Sequence, residues 1–213
     1  VNKTSTSGGF HDEVRLAVRE RALEATRKVV CARGWQAVTM MAVATDVGVS
    51  RQLLYNEFGA KSGLAEGLFE RETDRFLAEV RSCLVDHAND LAAGLGSASA
   101  HALKLGSQNV LVRAIIGGPN SADAELLGLH TVQSKPVLLC AIEPLSKAIC
   151  DIHRVPPEER DRIATIVEIM VRLTLSYLIQ PIGAVEIAEE QLHLTARALC
   201  HVDKRDRHDS TGA

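Results

Sequence analysis

Three side chains within six residues, Arg51, Gln52 and Asn56, carry planar groups of the kind that read base edges. A guanidinium forks onto O6 and N7 of guanine, and a carboxamide pairs with N6 and N7 of adenine. Each good pair discriminates by about 1–3 kcal/mol. Leu53 is suited to a thymine methyl. Tyr55, Thr39 and Lys61 suit phosphates, the last beside the free N–H groups that begin a following helix. This chemistry requires a short helix that projects from its domain with one polar face bare.

The neighbouring residues predict that helix. Thr39 and Ser50 are preferred N-cap types. Ala44 is small where two helices cross, Gly48 permits the positive φ of a tight turn, and Val49 plugs the angle between the helices. Leu54, ten residues after Ala44, returns the second helix to the core. The segment from about 39 to 57 therefore predicts a helix-turn-helix. An ordinary helical hairpin with a solvated polar face is the competing reading, and it leaves the coincidence of turn and packing residues unexplained.

Charge fits this reading. The net charge of the 213 residues is only −3, which argues against a generally basic nucleic-acid coat. It divides into +3 over residues 1–62 and −6 over the remainder, a mildly basic head on an acidic body. With 46% hydrophobic residues the chain can bury a real core. Five scattered cysteines, with no C-x-x-C pair, read as reduced thiols and predict a cytoplasmic protein. No apolar run approaches the ~18 residues of a membrane span, and no signal-peptide stretch opens the sequence, so no membrane partner is expected.

The elements that must position the head are helical throughout, and an all-α fold is predicted. A first helix is expected over 12–33, ended by Gly34, and a fourth over about 61–87. Gly94, Gly96 and Gly106 predict short or bent helices between 91 and 108, and Gly117-Gly118-Pro119-Asn120 breaks the next. A helix over about 135–154 contains Pro144 and is expected to kink. Pro156-Pro157 opens a long helix to about 179, and a last one spans about 185–202. The first eleven residues and 203–213 are expected to be frayed. The domains so read are a head over 12–60 and an effector-binding and dimerisation body over 61–202.

The block from Arg19 to Leu64 resembles the N-terminal domain of the TetR family. Gly34, Thr39, Val43-Ala44, Gly48-Val49-Ser50, Leu54-Tyr55, Phe58, Lys61 and Leu64 fall on that family's pattern without gaps. The resemblance implies a homodimer with a three-helix DNA-binding head, a ligand-binding body, and repression relieved by a small molecule. Tyr55 to Gly59 and Leu111 to Ile115 also resemble an actinobacterial subgroup, some members of which lie beside alkane-oxidation genes. Glu57 departs from the family pattern, where many members carry His. An acid there is repelled by the DNA backbone unless a neighbouring Arg or Lys pairs with it.

A dimer would present two heads to a palindromic operator with half-sites about 34–36 Å apart. Ile163, Val167, Leu192, Thr195 and Leu199, on the last two helices, are the expected dimer face. All aromatic residues but Tyr177 precede residue 80. A cavity in the body is thus expected to be aliphatic and to suit a lipid-like effector rather than a planar drug. His101, Arg113, Met170, Thr174 and Tyr177 are its expected lining and anchors. No H-E-x-x-H, G-x-S-x-G or Walker pattern is present. His193 and His201 stand about 12 Å apart along a helix and cannot share an ion. Neither enzyme activity, metal nor cofactor is expected. The rival to a DNA-binding regulator is a helical interaction or sensor module without sequence-specific DNA binding.

Overall fold

The computed structural model describes residues 7–117 and 137–201. Among these, all regular structure is helical: α1 (Ser7–Arg33), a 3-10 turn (Trp35–Ala37), α2 (Met40–Val47), α3 (Arg51–Phe58), α4 (Lys61–Asp86), α5 (Leu91–Gln108) and α6 (Val110–Gly117). After residues outside the description come α7 (Val137–His153), a 3-10 turn (Pro157–Glu159), α8 (Arg160–Ile179) and α9 (Val185–His201). The expected tail over 203–213 and the arm over 1–6 lie outside the described residues. Residues 7–11, expected to fray, belong to α1.

The chain forms two compact units whose border falls inside α4, between Glu72 and Thr73, rather than near residue 60. The sequence places that border in the loop before α4, but the helix continues across it, so its first half belongs with the head.

The first unit is built on the inward face of α1. Ala22, Leu23, Ala25 and Val30 are buried with Trp35, Val43, Leu54, Leu64 and Leu68. Gly34 takes φ 75° and ends α1 with its N–H donating to the Val30 carbonyl at 2.8 Å. A charged cluster ties α1 to α4. Arg71, only 8% exposed, donates to Glu20 at 3.1 Å, Glu24 at 3.2 Å and Glu72 at 2.8 Å, while Arg27 approaches Glu72 at 3.4 Å. A guanidinium can enter a protein interior when several carboxylates share its donors.

The second unit packs α5, α7, α8 and α9 around Leu84, Leu95, Leu103, Ile149, Val167, Met170 and Leu192. The glycine-bearing segment from 91 to 108 is one continuous helix rather than short or bent pieces. Asp90 caps it by accepting from the Ala93 N–H at 3.0 Å. Its glycines are places of close approach: a Cβ on Gly96 would stand 3.1 Å from the His193 Cα, and one on Gly106 2.7 Å from Leu178 Cδ2. Packing against α9 and α8 thus offsets the weak helix propensity that suggested a break. Pro144 sits within α7 without ending it.

Candidate functional site

The head's geometry begins with two caps and a bend. The Thr39 hydroxyl accepts from the Ala42 N–H at 3.1 Å, and the Ser50 hydroxyl from the Leu53 N–H at 3.1 Å. Between them Gly48 takes φ 76° and, with Val49, donates to the Ala44 carbonyl at 3.0 Å. A Cβ on Gly48 would meet nothing within 4 Å, so the backbone angle alone accounts for glycine. Arg21 of α1 donates to the Val47 carbonyl at the end of α2.

On α3, Leu54 and Phe58 are buried, while Arg51, Gln52, Leu53 and Asn56 are exposed and Tyr55 is half-buried. The polar residues pair along the helix, one turn apart. Arg51 donates to the Tyr55 hydroxyl at 3.2 Å with its guanidinium 5.3 Å from the ring centre, and Gln52 donates to Asn56 Oδ1 at 2.9 Å. These pairs hold the four polar side chains together along the helix. Leu53 and, at the start of α2, Met41 are exposed apolar residues of the first unit, 42% and 64% exposed.

Lys61 is turned differently from the expectation of a free phosphate contact. Its ammonium donates to the Trp35 carbonyl at 2.9 Å and lies 4.7 Å from the Trp35 ring centre. Burial there holds its pKa below the ordinary lysine value. Lys61 thereby fixes the turn after α1 to the start of α4.

Sequence reasoning left two arginines of α1, Arg15 and Arg19, without a role. Arg15 and Arg19 converge on Glu57 at 3.0 and 3.2 Å, and Arg19 also covers Phe58 at 5.0 Å from the ring centre. The acid that departs from the family pattern therefore has its cations. The signal was present as an unpaired acid on an otherwise DNA-suited helix, with two arginines one turn apart upstream.

The second unit contains a cavity of about 60 Å³. Leu95, Ile149, Val167, Met170 and Leu178 line it with Phe76, one aromatic in a wall expected to be aliphatic. Ser99 and Thr174 bring hydroxyls to the wall, and that of Thr174 donates to the Met170 carbonyl at 2.8 Å. Of the five expected ligand residues the structure brings Met170 and Thr174 to this cavity. His101 is instead 3.2 Å from Glu79, Arg113 donates to the Ser107 carbonyl at 2.7 Å, and the Tyr177 hydroxyl donates to Gln191.

Residues 22–68 match the family model for bacterial regulatory proteins, tetR family, and residues 90–199 that for the bacterial tetracyclin repressor C-terminal domain. The chain is 30% identical over 172 residues to the HTH-type transcriptional regulator AlkX of Mycobacterium tuberculosis, covering 81% of this chain and 80% of that one. It belongs to the TetR family. It is a TetR-family transcriptional regulator, with a DNA-binding helix-turn-helix and the C-terminal domain that in this family typically binds ligand. The crystal structure of the TetR-family repressor AlkX from a Dietzia species, implicated in biodegradation of n-alkanes, superposes with a TM-score of 0.63 at 27% identity. That comparison covers 85% of this chain and 97% of that one. A TetR-family regulator from Mesorhizobium loti shares the fold, with a TM-score of 0.60 at 13% identity over 88% of this chain and 97% of that one.

The TetR-family chain places its expected dimer residues mostly within its own core. Ile163, Val167 and Leu192 are buried there, Leu199 packs against them, and Thr195 is half-buried with its hydroxyl on the Gln191 carbonyl. A helical apolar stripe looks the same in sequence whether it meets its own chain or a second copy. The exposed apolar residues of α8 and α9 are Ile169, Ile179, Ile187 and Leu194. No described helix is long and apolar enough to cross a membrane, and no described group of His, Cys, Asp and Glu forms a metal cluster.

Proposed function

We propose that this regulator represses by gripping a palindromic operator with the α3 helices of a homodimer, and that an aliphatic, lipid-like molecule in the body cavity releases it. The observation that carries the effector class is the cavity wall: aliphatic side chains, one phenyl ring and two hydroxyls, with no charged side chain among the lining residues. Such a wall favours apolar chains and penalises a buried charge. The Dietzia relative, whose description ties it to n-alkane biodegradation, supports the same class.

At about 60 Å³ the cavity is small beside the roughly 300–1,000 Å³ of typical ligand pockets. A longer chain requires flexible side chains such as Met170 and Leu178 to yield. Binding that works by such displacement favours one body conformation over another, which is the condition for moving a DNA-binding equilibrium.

The dimer is supported by Ile187 and Leu194, seven residues apart on α9 and 53% and 62% exposed. Seven residues is close to two helical turns, so both lie on one outward face. Fatty acids and alkanols of increasing length, titrated against the operator complex, are expected to raise the melting temperature of the protein and lower its DNA affinity together. Stabilisation by planar aromatic cations with none by acyl chains contradicts the effector class.

A further inference from the structure

We propose that Glu57 is a specificity-determining residue: it neutralises Arg15 and Arg19 so that the head does not grip DNA regardless of sequence. The inference rests on the reading of α3 as the DNA-contacting helix. Glu57 follows Asn56 directly on that helix, and its side chain is 10% exposed. It holds Arg15 at 3.0 Å through one oxygen and Arg19 at 3.2 Å through the other. Arg19 is further fixed over Phe58 and reaches the exposed Glu70 at 3.9 Å. Arg15, 69% exposed, has only Glu57 among its ion-pair partners in the described residues.

Two arginines one turn apart beside a DNA-reading helix are otherwise ready-made for phosphates, and phosphate contacts carry affinity without sequence information. A carboxylate drawn down between them lowers that sequence-independent term. The contacts of Arg51, Gln52 and Asn56 are on the other residues of α3 and remain. The pairing thus trades total affinity for the ratio between operator and random DNA, which decides occupancy when non-specific sites are in vast excess. The geometry also explains why an acid is tolerated on this helix at all.

The test is a double-mutant cycle of Glu57→Gln and Arg15→Gln, with fluorescence anisotropy on operator and on scrambled duplex at about 50 and 200 mM salt. Glu57→Gln is expected to tighten scrambled-duplex binding about tenfold at the lower salt, with a gain roughly fourfold smaller at the higher, as one further phosphate contact requires. Operator affinity rises less, so discrimination falls. Arg15→Gln is expected to change either affinity less than twofold while Glu57 is present and to abolish the gain in its absence. Unchanged or weakened scrambled-duplex binding by folded Glu57→Gln overturns the proposal. Should that variant lose its helix content, Arg15→Gln alone decides: a tenfold loss shows Arg15 already on phosphate and overturns it, and near-constancy supports it. Failure of the unaltered protein to separate operator from scrambled duplex counts against the reading of α3 instead.

Discussion

On the proposed reading, Arg51 and Gln52 meet DNA already bonded to their own helix, and binding would exchange those contacts for base edges. The exchange costs little because both pairs are exposed and lie one turn apart. Arg51→Ala with Gln52→Ala is therefore expected to reduce operator affinity by at least tenfold while leaving the melting temperature within about a degree or two, since exposed positions carry little stability. Anisotropy and thermal unfolding on the same samples check both halves. At this scale the sequence was most legible where a residue's role is local. The Thr39 and Ser50 caps and the Gly48 turn need only neighbours a few residues away. The pairing of Arg15 with Glu57, 42 positions apart, needs the fold. Lys61 shows the same limit: its partner Trp35 lies 26 residues upstream, and nothing in the spacing says that the ammonium turns inward.

Among the helices, α5 carries most of the tight packing in the second unit. Gly96→Ala is expected to cost about 1–3 kcal/mol, because the new methyl meets the backbone of α9 at His193 and backbone cannot step aside as a side-chain tip does. Urea unfolding checks it, and a neutral result contradicts the packing described. Continuity of this helix was not legible, since propensity penalises each glycine and says nothing of the neighbour that fills the space.

The end of α7 carries a pH dependence. His153 is half-buried, its Nε2 finds no hydrogen-bond partner among the described residues, and burial holds its pKa below the ordinary value of 6.5, with Asp90 pulling the other way. The folded state then binds the proton less well than the unfolded chain. The stability of the neutral form is complete above about pH 6.5 and is eroded as pH falls through that value. The melting temperature is expected to fall between about pH 7 and pH 5, and His153→Gln to flatten that fall. An unchanged slope in the variant assigns the dependence to other groups.

For the whole molecule, the all-helical class and the order of elements were legible because apolar residues recur at helical spacing and the breaks carry Gly or Pro. The border between units was not, because it falls inside a single helix, at Glu72. Nor was the outward face of α8 and α9, because the strongest apolar stripe belongs to the core. Ile187→Asp with Leu194→Asp is expected to yield monomers by light scattering with little loss of helix, whereas Leu192→Asp, buried at 0% exposure, is expected to unfold the body. Persistent dimers in the first variant place the interface elsewhere.

Two such heads, paired as proposed, would read two half-sites on one face of the duplex, about one helical turn apart or a multiple of it. Footprinting on the DNA flanking its own gene measures this. The expected result is a protected inverted repeat with that spacing, lost in Arg51→Ala with Gln52→Ala. Uniform protection of every fragment, or none at moderate salt, contradicts sequence reading by α3.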